Sequence, residues 1–201
     1  MLVNLSLQEF SARLADKNPT PGGGSASAYV AALGSGLVAM FCNVTAARKK
    51  YAQVKEEMEA TAEYAEKWRG HFLELVDADS AAFEQVLTAN RMPKDDPGRS
   101  QAIDEASLQA TKVPLQTASA CVAMLEKIPP LVTKGNPNAI SDLNVGMELL
   151  HTAFQGALAN VNINLPWLPE ADAKSIQEEA LELSRRAQAA HEEGKRQFAA
   201  L

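Results

Sequence analysis

The chain has 201 residues, of which 46% are hydrophobic, 22% charged and 5% aromatic, and its formal net charge at pH 7 is −6. This composition is ordinary for a globular protein of one domain and excludes an intrinsically disordered chain. The acidic balance provides no basic face, which argues against nucleic acid as a partner. Few aromatic residues and abundant alanine favour closely packed helices over a β-sheet core. We therefore predict an all-α protein with a single domain over residues 1–201.

The positions of cysteine and histidine and the pattern of apolar residues limit the cellular compartment of the protein and its capacity to bind a metal. Cys42 and Cys121 fall inside apolar helical segments, which predicts buried thiols in a reducing compartment. No signal peptide opens the sequence and no apolar run is long enough to span a bilayer, so we predict a cytoplasmic protein with no membrane partner. His71, His151 and His191 show no ligand spacing with one another or with the cysteines, so we predict no metal site.

Helical spacing of apolar residues and clusters of turn residues divide the chain into successive helices. Ser6-Leu7-Gln8-Glu9 has the form of a capping box and begins a short helix that ends near Asp16. The longer helices are predicted over residues 25–47, 51–90, 100–127 and 172–198, and one more reaches residue 164 from a first turn that contains 141 and 142. Pro114 predicts a bend or break in the third of these. Together they predict an up-and-down bundle of about six helices.

The stretch Pro-Thr-Pro-Gly-Gly-Gly-Ser, from Pro19 to Ser25, leads straight into the second helix. A glycine loop at a helix N-terminus exposes backbone N–H groups that suit an anionic ligand or an oxyanion. It is not a nucleotide-binding loop, because no strand precedes it and no Gly-Lys-Ser/Thr sequence follows Gly24. The alternative is a loop whose glycines only allow close packing. The residues alone leave both interpretations open.

An antiparallel arrangement of the second and third helices, turning near Lys49, places Asp79 beside the glycine loop. Continuing the up-and-down path predicts two polar clusters at opposite ends of the subunit. The first cluster contains Gly22, Gly23, Gly24, Asp79, Asn160 and, as a further candidate, Asn164. The second cluster contains Lys49, Lys50, Asn136, Ser141 and Asp142. Asp142 and Asn160 are about 27 Å apart along one helix, so either the ligand is long or an antiparallel dimer joins the two ends.

Each candidate also has a purely structural explanation. Lys49 and Lys50 suit the solvated C-terminus of a helix, and Asp142 suits the first turn of one. Asn160 and Asn164 lie four apart in an apolar stretch, where interhelical hydrogen bonds would satisfy their amides. Spacing therefore nominates residues without assigning their roles.

Several segments are shared with one known family. They are Pro19–Ser25, Asn43-Val44-Thr45, Lys49-Lys50-Tyr51, Asp77-Ala78-Asp79 with Ala82-Phe83, Lys134-Gly135-Asn136 with Ser141-Asp142, Gly156-Ala157, Asn160-Val161 and Ile163-Asn164. In this order, and over nearly the whole chain, they resemble the cyclodeaminase/cyclohydrolase family of folate enzymes. Arg48–Tyr51 and Met92-Pro93-Lys94 are similar to its stand-alone bacterial branch, the methenyltetrahydrofolate cyclohydrolases.

The resemblance implies an all-helical homodimer with a folate site at or near the subunit interface, and no metal or cofactor beyond the folate substrate. It implies hydrolysis of 5,10-methenyltetrahydrofolate to 10-formyltetrahydrofolate. The alternative within the family is formiminotetrahydrofolate cyclodeaminase, which closes the ring and releases ammonia. A non-enzymatic helical interaction protein is the rival from a different class.

For the hydrolysis, we expect a carboxylate to stabilise the cationic methenyl carbon and to take a proton from water. Asp142 is the first choice for that carboxylate, and Asp79 is either the alternative or an anchor for the pterin. Lys49, or else Lys50, donates a proton to the leaving nitrogen or binds the anionic glutamate tail. The residues expected to bind the substrate are Gly22, Gly23, Gly24, Ser25, Lys50, Asn136, Ser141, Asn160 and Asn164.

Overall fold

A computed structural model describes all 201 residues, and every regular element in it is helical. The α-helices are α1 (Leu7–Leu14), α2 (Gly23–Ala46), α3 (Lys55–Asn90), α4 (Arg99–Leu125), α5 (Pro129–Val132), α6 (Ile140–Asn164) and α7 (Glu170–Ala199). Short 3₁₀ segments cover Leu2–Asn4, Lys49–Val54, Pro137–Ala139 and Leu165–Trp167. Six of the seven α-helices have eight residues or more, which confirms the predicted all-α bundle.

The helix starts follow local sequence signals, with two shifts from the prediction. Ser6 caps α1, because its hydroxyl accepts the Glu9 N–H at 3.2 Å while its own N–H donates to Glu9 Oε2 at 2.8 Å. α2 begins at Gly23, two residues earlier than predicted, with Gly22 as its N-cap residue. α3 begins at Lys55, four residues later than predicted, because the backbone leaves helical geometry at Tyr51.

α2 is the central helix and runs antiparallel to both α3 and α6. At its N-terminal end Gly24 lies against Asp79 of α3. In its middle, Gly34 and Gly146 of α6 pack backbone to backbone. A Cβ at Gly34 would lie 2.9 Å from the Gly146 carbonyl oxygen, and one at Gly146 would lie 3.1 Å from the Gly34 oxygen. Only glycine at both positions allows the two helices to cross this closely.

One hydrophobic core of 38 buried residues joins the helices. By length and composition alone α2 could span a bilayer, with a mean hydropathy of 1.5, so the prediction that no apolar run is long enough is wrong. Of that apolar window 61% is buried against neighbouring helices, which is expected of a core helix. Cys42 and Cys121 are buried free thiols, as predicted, and burial raises the pKa of Cys42 to about 12.

α4 continues through Pro114 from Arg99 to Leu125, so the predicted break does not occur. Proline has no backbone N–H and leaves the carbonyl of the residue four positions earlier, here Ala110, without its helical partner. Asn164 of α6 donates its Nδ2 to that carbonyl at 3.0 Å. The side chain thus satisfies the backbone at the proline and ties α4 to the C-terminal end of α6.

Candidate functional site

The N-terminal end of α2 packs directly on a carboxylate. Gly24 is buried, and a Cβ there would overlap the Asp79 side chain, with the carboxyl carbon only 2.5 Å away. Gly23 is exposed and lies beside Asn160 of α6, whose Nδ2 is 3.2 Å from the position a Cβ would take. Three helices therefore bring these four residues together, as the predicted first cluster requires. Their role in binding or catalysis stays a prediction.

Ser25 holds Asp79 from the interior of the bundle. Its side chain is fully buried, and its Oγ is 2.9 Å from Asp79 Oδ2, 2.9 Å from the Val76 carbonyl oxygen and 3.0 Å from Ser80 Oγ. The structure thus places Ser25 behind Asp79 and away from solvent, where it fixes the rotamer of the carboxyl group. No side chain caps the N-terminus of α2, so the Asp79 carboxylate supplies negative charge where the helix dipole favours it.

Burial raises the pKa of the Asp79 carboxyl above its ordinary value, and hydrogen bonds from Ser25 offset part of that rise. Between the ordinary and the raised pKa, the folded protein retains a proton that the unfolded chain has lost. Stability contributed by this group therefore falls as the pH rises through that window. A carboxyl group that exchanges its proton closer to neutrality is suited to general acid–base chemistry.

The two asparagines of the first predicted cluster have different surroundings. Asn160 is half-buried beside the glycine loop, and its Nδ2 donates to the Gly156 carbonyl of its own helix at 2.8 Å. Asn164 donates its Nδ2 to the Ala110 carbonyl of α4. This is the interhelical hydrogen bond that the sequence offered as the alternative to a binding role. The structure therefore brings Asn160 to the glycine loop and directs Asn164 to α4.

The C-terminal end of α2 receives the loop before α6. Gly135 packs on the buried Phe41 ring, since a Cβ there would lie 2.5 Å from Phe41 Cε1. Asn136 donates its backbone N–H to Thr45 Oγ1 at 3.0 Å, and its Oδ1 accepts the Asn138 N–H at 3.1 Å. Its Nδ2 is buried and has no hydrogen-bond partner. A buried donor without a partner costs free energy, so Asn136 has a binding capacity that the protomer alone does not use.

The remaining members of the second cluster lie at this same end. Lys49 and Lys50 are exposed in the 3₁₀ segment that follows α2, and the Lys50 ammonium lies 5.4 Å from the Tyr51 ring centroid. Asp142 is half-buried and Ser141 exposed in the first turn of α6. Because α2 and α6 are antiparallel, with Gly34 level with Gly146, this first turn is level with the last turns of α2.

The structure keeps the two predicted clusters apart within one protomer. Asp142 and Asn160 lie at opposite ends of α6, about 27 Å apart along the helix axis. A cavity of about 560 Å³ lies elsewhere, between α3, α4 and α7, where Trp68, Lys112 and Ile176 are among its lining residues. It includes no predicted site residue. The candidate site is thus made of two separated half-sites, which we call the glycine end and the lysine end.

Sequence reasoning missed one polar cluster. His151 and His191 stack with ring centroids 3.8 Å apart, and His191 Nε2 lies 3.0 Å from Glu148 Oε1. Spacing along the chain hid this pair, because His191 is on α7 and the other two residues are on α6. The signal that was available is Glu148-x-x-His151, an i,i+3 pair that shares one helix face.

Comparisons with known proteins agree on one family. The family model described as formiminotransferase-cyclodeaminase matches residues 6–183. The chain is 34% identical to the methenyltetrahydrofolate cyclohydrolase of Methylorubrum extorquens over 185 residues, which are 90% of this chain and 88% of that protein. It is 34% identical to the formimidoyltransferase-cyclodeaminase of Rattus norvegicus over 82% of this chain, a stretch that spans only 31% of the rat protein. Its fold matches the crystal structure of formiminotetrahydrofolate cyclodeaminase from Thermotoga maritima with a TM-score of 0.92 and 29% identity, covering 100% of this chain and 98% of that one.

Proposed function

This chain belongs to the formiminotransferase-cyclodeaminase family, and we propose that it is a cytoplasmic enzyme that hydrolyses 5,10-methenyltetrahydrofolate to 10-formyltetrahydrofolate. The observation that carries the proposal is the match to the Methylorubrum cyclohydrolase, which extends over most of both chains. The polar half-sites at the two ends of α2 supply the groups that this chemistry needs.

The reacting carbon of the substrate is part of a cationic amidinium. Water adds to it, its oxygen loses both protons as it becomes the formyl carbonyl, and the bond from that carbon to N5 breaks as N5 takes up one proton. The net reaction releases one proton, so a group that accepts it from the attacking water lowers the barrier. An anionic side chain beside the cationic carbon also stabilises the bound substrate and the developing adduct.

We assign the proton-accepting role to Asp142, which is half-buried beside the lysine end. The exposed Lys49 donates a proton to the departing N5 and Lys50 attracts the anionic glutamate tail. Asn136 Nδ2, buried without a partner, donates to an acceptor on the pterin edge. At the glycine end, Asp79 and Asn160 bind the remainder of the substrate, and Asp79 is the alternative proton acceptor because its pKa is raised by burial.

A second copy of the chain joins the two half-sites in this proposal. Large apolar side chains stay exposed on the α2–α6 face: Leu33 is 45% exposed, Met40 37% and Val145 49%. Val145 precedes Gly146 at the closest crossing of the two helices, so this patch lies midway between the glycine end and the lysine end. A two-fold axis through the patch buries it against itself and brings the glycine end of one protomer to the lysine end of its partner.

The second candidate function is formiminotetrahydrofolate cyclodeaminase activity. It is favoured by the fold match to the Thermotoga protein, which covers both chains almost completely. In that reaction N10 attacks the N5 formimino carbon and loses its proton, and the formimino nitrogen takes up two protons in all and leaves as ammonia. The same carboxylates and lysine would move those protons, so the half-sites do not by themselves choose between the reactions.

A substrate assay decides between the functions. Purified protein is added to 5,10-methenyltetrahydrofolate, and the loss of the methenyl absorbance is followed against the spontaneous rate. We expect acceleration, and we expect Asp142→Asn to lower kcat by about 10²–10⁴-fold. The matched control is Asp104→Asn, which removes an exposed carboxylate of α4 and leaves kcat unchanged.

The other outcomes are equally informative. Ammonia release from formiminotetrahydrofolate without acceleration of methenyl hydrolysis would replace the first proposal with the second. No turnover of either substrate, together with a Tm that folate derivatives do not change, would identify a helical interaction protein.

A further inference from the structure

A compact group of metal-ligand side chains lies outside both half-sites, in the groove between α6 and α7. Glu148 and His151 are one helical turn apart on α6, and His191 faces them from α7. We propose that Glu148, His151 and His191 bind a divalent transition-metal ion, with Zn²⁺ as the reference ion. This site is independent of the folate chemistry, and it is the alternative to the sequence prediction of no metal site.

The donor atoms are already close to coordinating distance. His191 Nε2 lies 3.0 and 3.1 Å from the two oxygens of Glu148, and one donor atom from each of the three residues falls within 4.8 Å of the others. Zn–N and Zn–O bonds of about 2.0–2.2 Å place neighbouring ligands about 3–3.5 Å apart. Glu148 and His191 meet that spacing as they stand. His151 has at most about 1.5 Å to close, by rotation of its half-buried ring.

The electrostatic setting also suits a cation. Imidazole binds metal only in its neutral form, and the half-buried His151 ring lies directly against the ring of His191. Glu148 is exposed on one side, and its carboxylate contributes the negative charge that a divalent ion requires. Lys195, one turn beyond His191 and exposed, is the positive charge that opposes a cation here.

The three ligands leave at least one coordination position open to water, because the groove is exposed on the Glu148 side. Two of them are on the helix that also carries Asp142 and Asn160, and the third is on the C-terminal helix. A bound ion therefore cross-links α6 to α7. Its direct consequence is higher stability of the native state, since the unfolded chain does not hold these residues together.

The test uses the full chain without a histidine tag and freed of metal by a chelator. Zn²⁺ at about 100 times its Kd is expected to raise Tm by about 5–10 °C. Co²⁺, added alone as a spectroscopic probe, is expected to give visible absorption bands that Zn²⁺ abolishes by competition. Both signals report binding and require no enzymatic activity, so they are independent of the proposed function.

Variants identify the ligands. His151→Gln and His191→Gln are each expected to weaken Zn²⁺ binding by about ten-fold or more, and so is Glu148→Gln, which changes an exposed residue and preserves folding. His71→Gln is the matched control, because His71 on α3 contacts Glu74 and the Trp68 ring and belongs to no group of metal-ligand side chains. Lys195→Gln is expected to tighten binding several-fold by removing the opposing charge. The proposal is overturned if Zn²⁺ leaves Tm unchanged, or if Glu148→Gln and His151→Gln bind the ion as tightly as His71→Gln.

Discussion

The glycine end and the lysine end of the α2–α6 pair are built on opposite principles. At the glycine end, Asp79 is held by the buried Ser25 hydroxyl, and Gly24 fits tightly beneath it, so the Asp79 carboxyl group is positioned inside one protomer. At the lysine end, Lys49 is exposed and the buried Asn136 amide has no partner. The difference indicates that the glycine end is a surface already ordered within one protomer, whereas the lysine end is completed only by a ligand or a second subunit.

The largest expected effect tests whether the two ends join across a dimer. We expect Asp79→Asn and Asp142→Asn homodimers each to lose most turnover. In a heterodimer of the two variants, one site combines both lesions and the other is intact. Such a heterodimer, isolated by two different affinity tags, should recover about half of the wild-type kcat per dimer. If both residues served one site within a single protomer, every site would carry a lesion and no activity would return.

The control for this complementation pairs two variants of the same end. In a heterodimer of Asp79→Asn with Asp79→Ala, both lesions lie at the glycine end, so each of the two sites carries one of them. We expect no recovery. Recovery in this control to the level of the first heterodimer would contradict the division of the site into two ends.

Alanine substitutions at the tight glycines are expected to separate function from stability. A Cβ at Gly24 displaces Asp79, whereas one at Gly135 enters the buried Phe41 ring, and neither neighbour can move without losing its own contacts. Overpacking of this kind costs about 1–3 kcal/mol, occasionally more. We expect both substitutions to lower the denaturant midpoint.

The two variants should then diverge in activity and pH dependence. Gly24→Ala should also change the pH profile of kcat, because it moves the Asp79 carboxyl, while Gly135→Ala should leave the pH profile unchanged. Gly70→Ala is the control, since nothing lies within 4 Å of a Cβ there, and an interior helix position is expected to gain about 0.5–1 kcal/mol. Equal pH profiles in Gly24→Ala and Gly135→Ala would argue against a role for Asp79 in proton transfer.

Local sequence signals predicted the helices and the hairpin, because capping, spacing and turn chemistry act within a few residues. The same reasoning placed Asp79 at the glycine loop, since an antiparallel hairpin fixes its own register. It could not foresee that Ser25 points inward to hold Asp79, or that the Asn136 Nδ2 donor is left without an acceptor, because both depend on side-chain packing between distant segments. The pairing of His151 with His191 was hidden for the same reason: the two residues meet only through the packing of α7 on α6.

The smallest expected effect distinguishes two asparagines that the sequence treats alike. Asn164 supplies the hydrogen bond that Pro114 denies to the Ala110 carbonyl, so Asn164→Ala leaves a part-buried acceptor unsatisfied. We expect a loss of about 1–3 kcal/mol in the free energy of unfolding, measured by urea denaturation, with KM for the folate unchanged. Asn160→Ala, which leaves this hydrogen bond intact, should instead raise KM.

A double-mutant cycle isolates the link between Asn164 and the proline. Pro114→Ala restores a backbone N–H that can bond the Ala110 carbonyl, so in this background Asn164→Ala should cost at least about 0.5 kcal/mol less than in the wild type. Asn160→Ala should cost the same in both backgrounds, because Asn160 bonds Gly156 within its own helix. An equal cost of Asn164→Ala in both backgrounds would mean that the carbonyl finds another partner. Asn164 would then return to the set of candidate ligand-binding residues, and the glycine end would extend one turn further along α6.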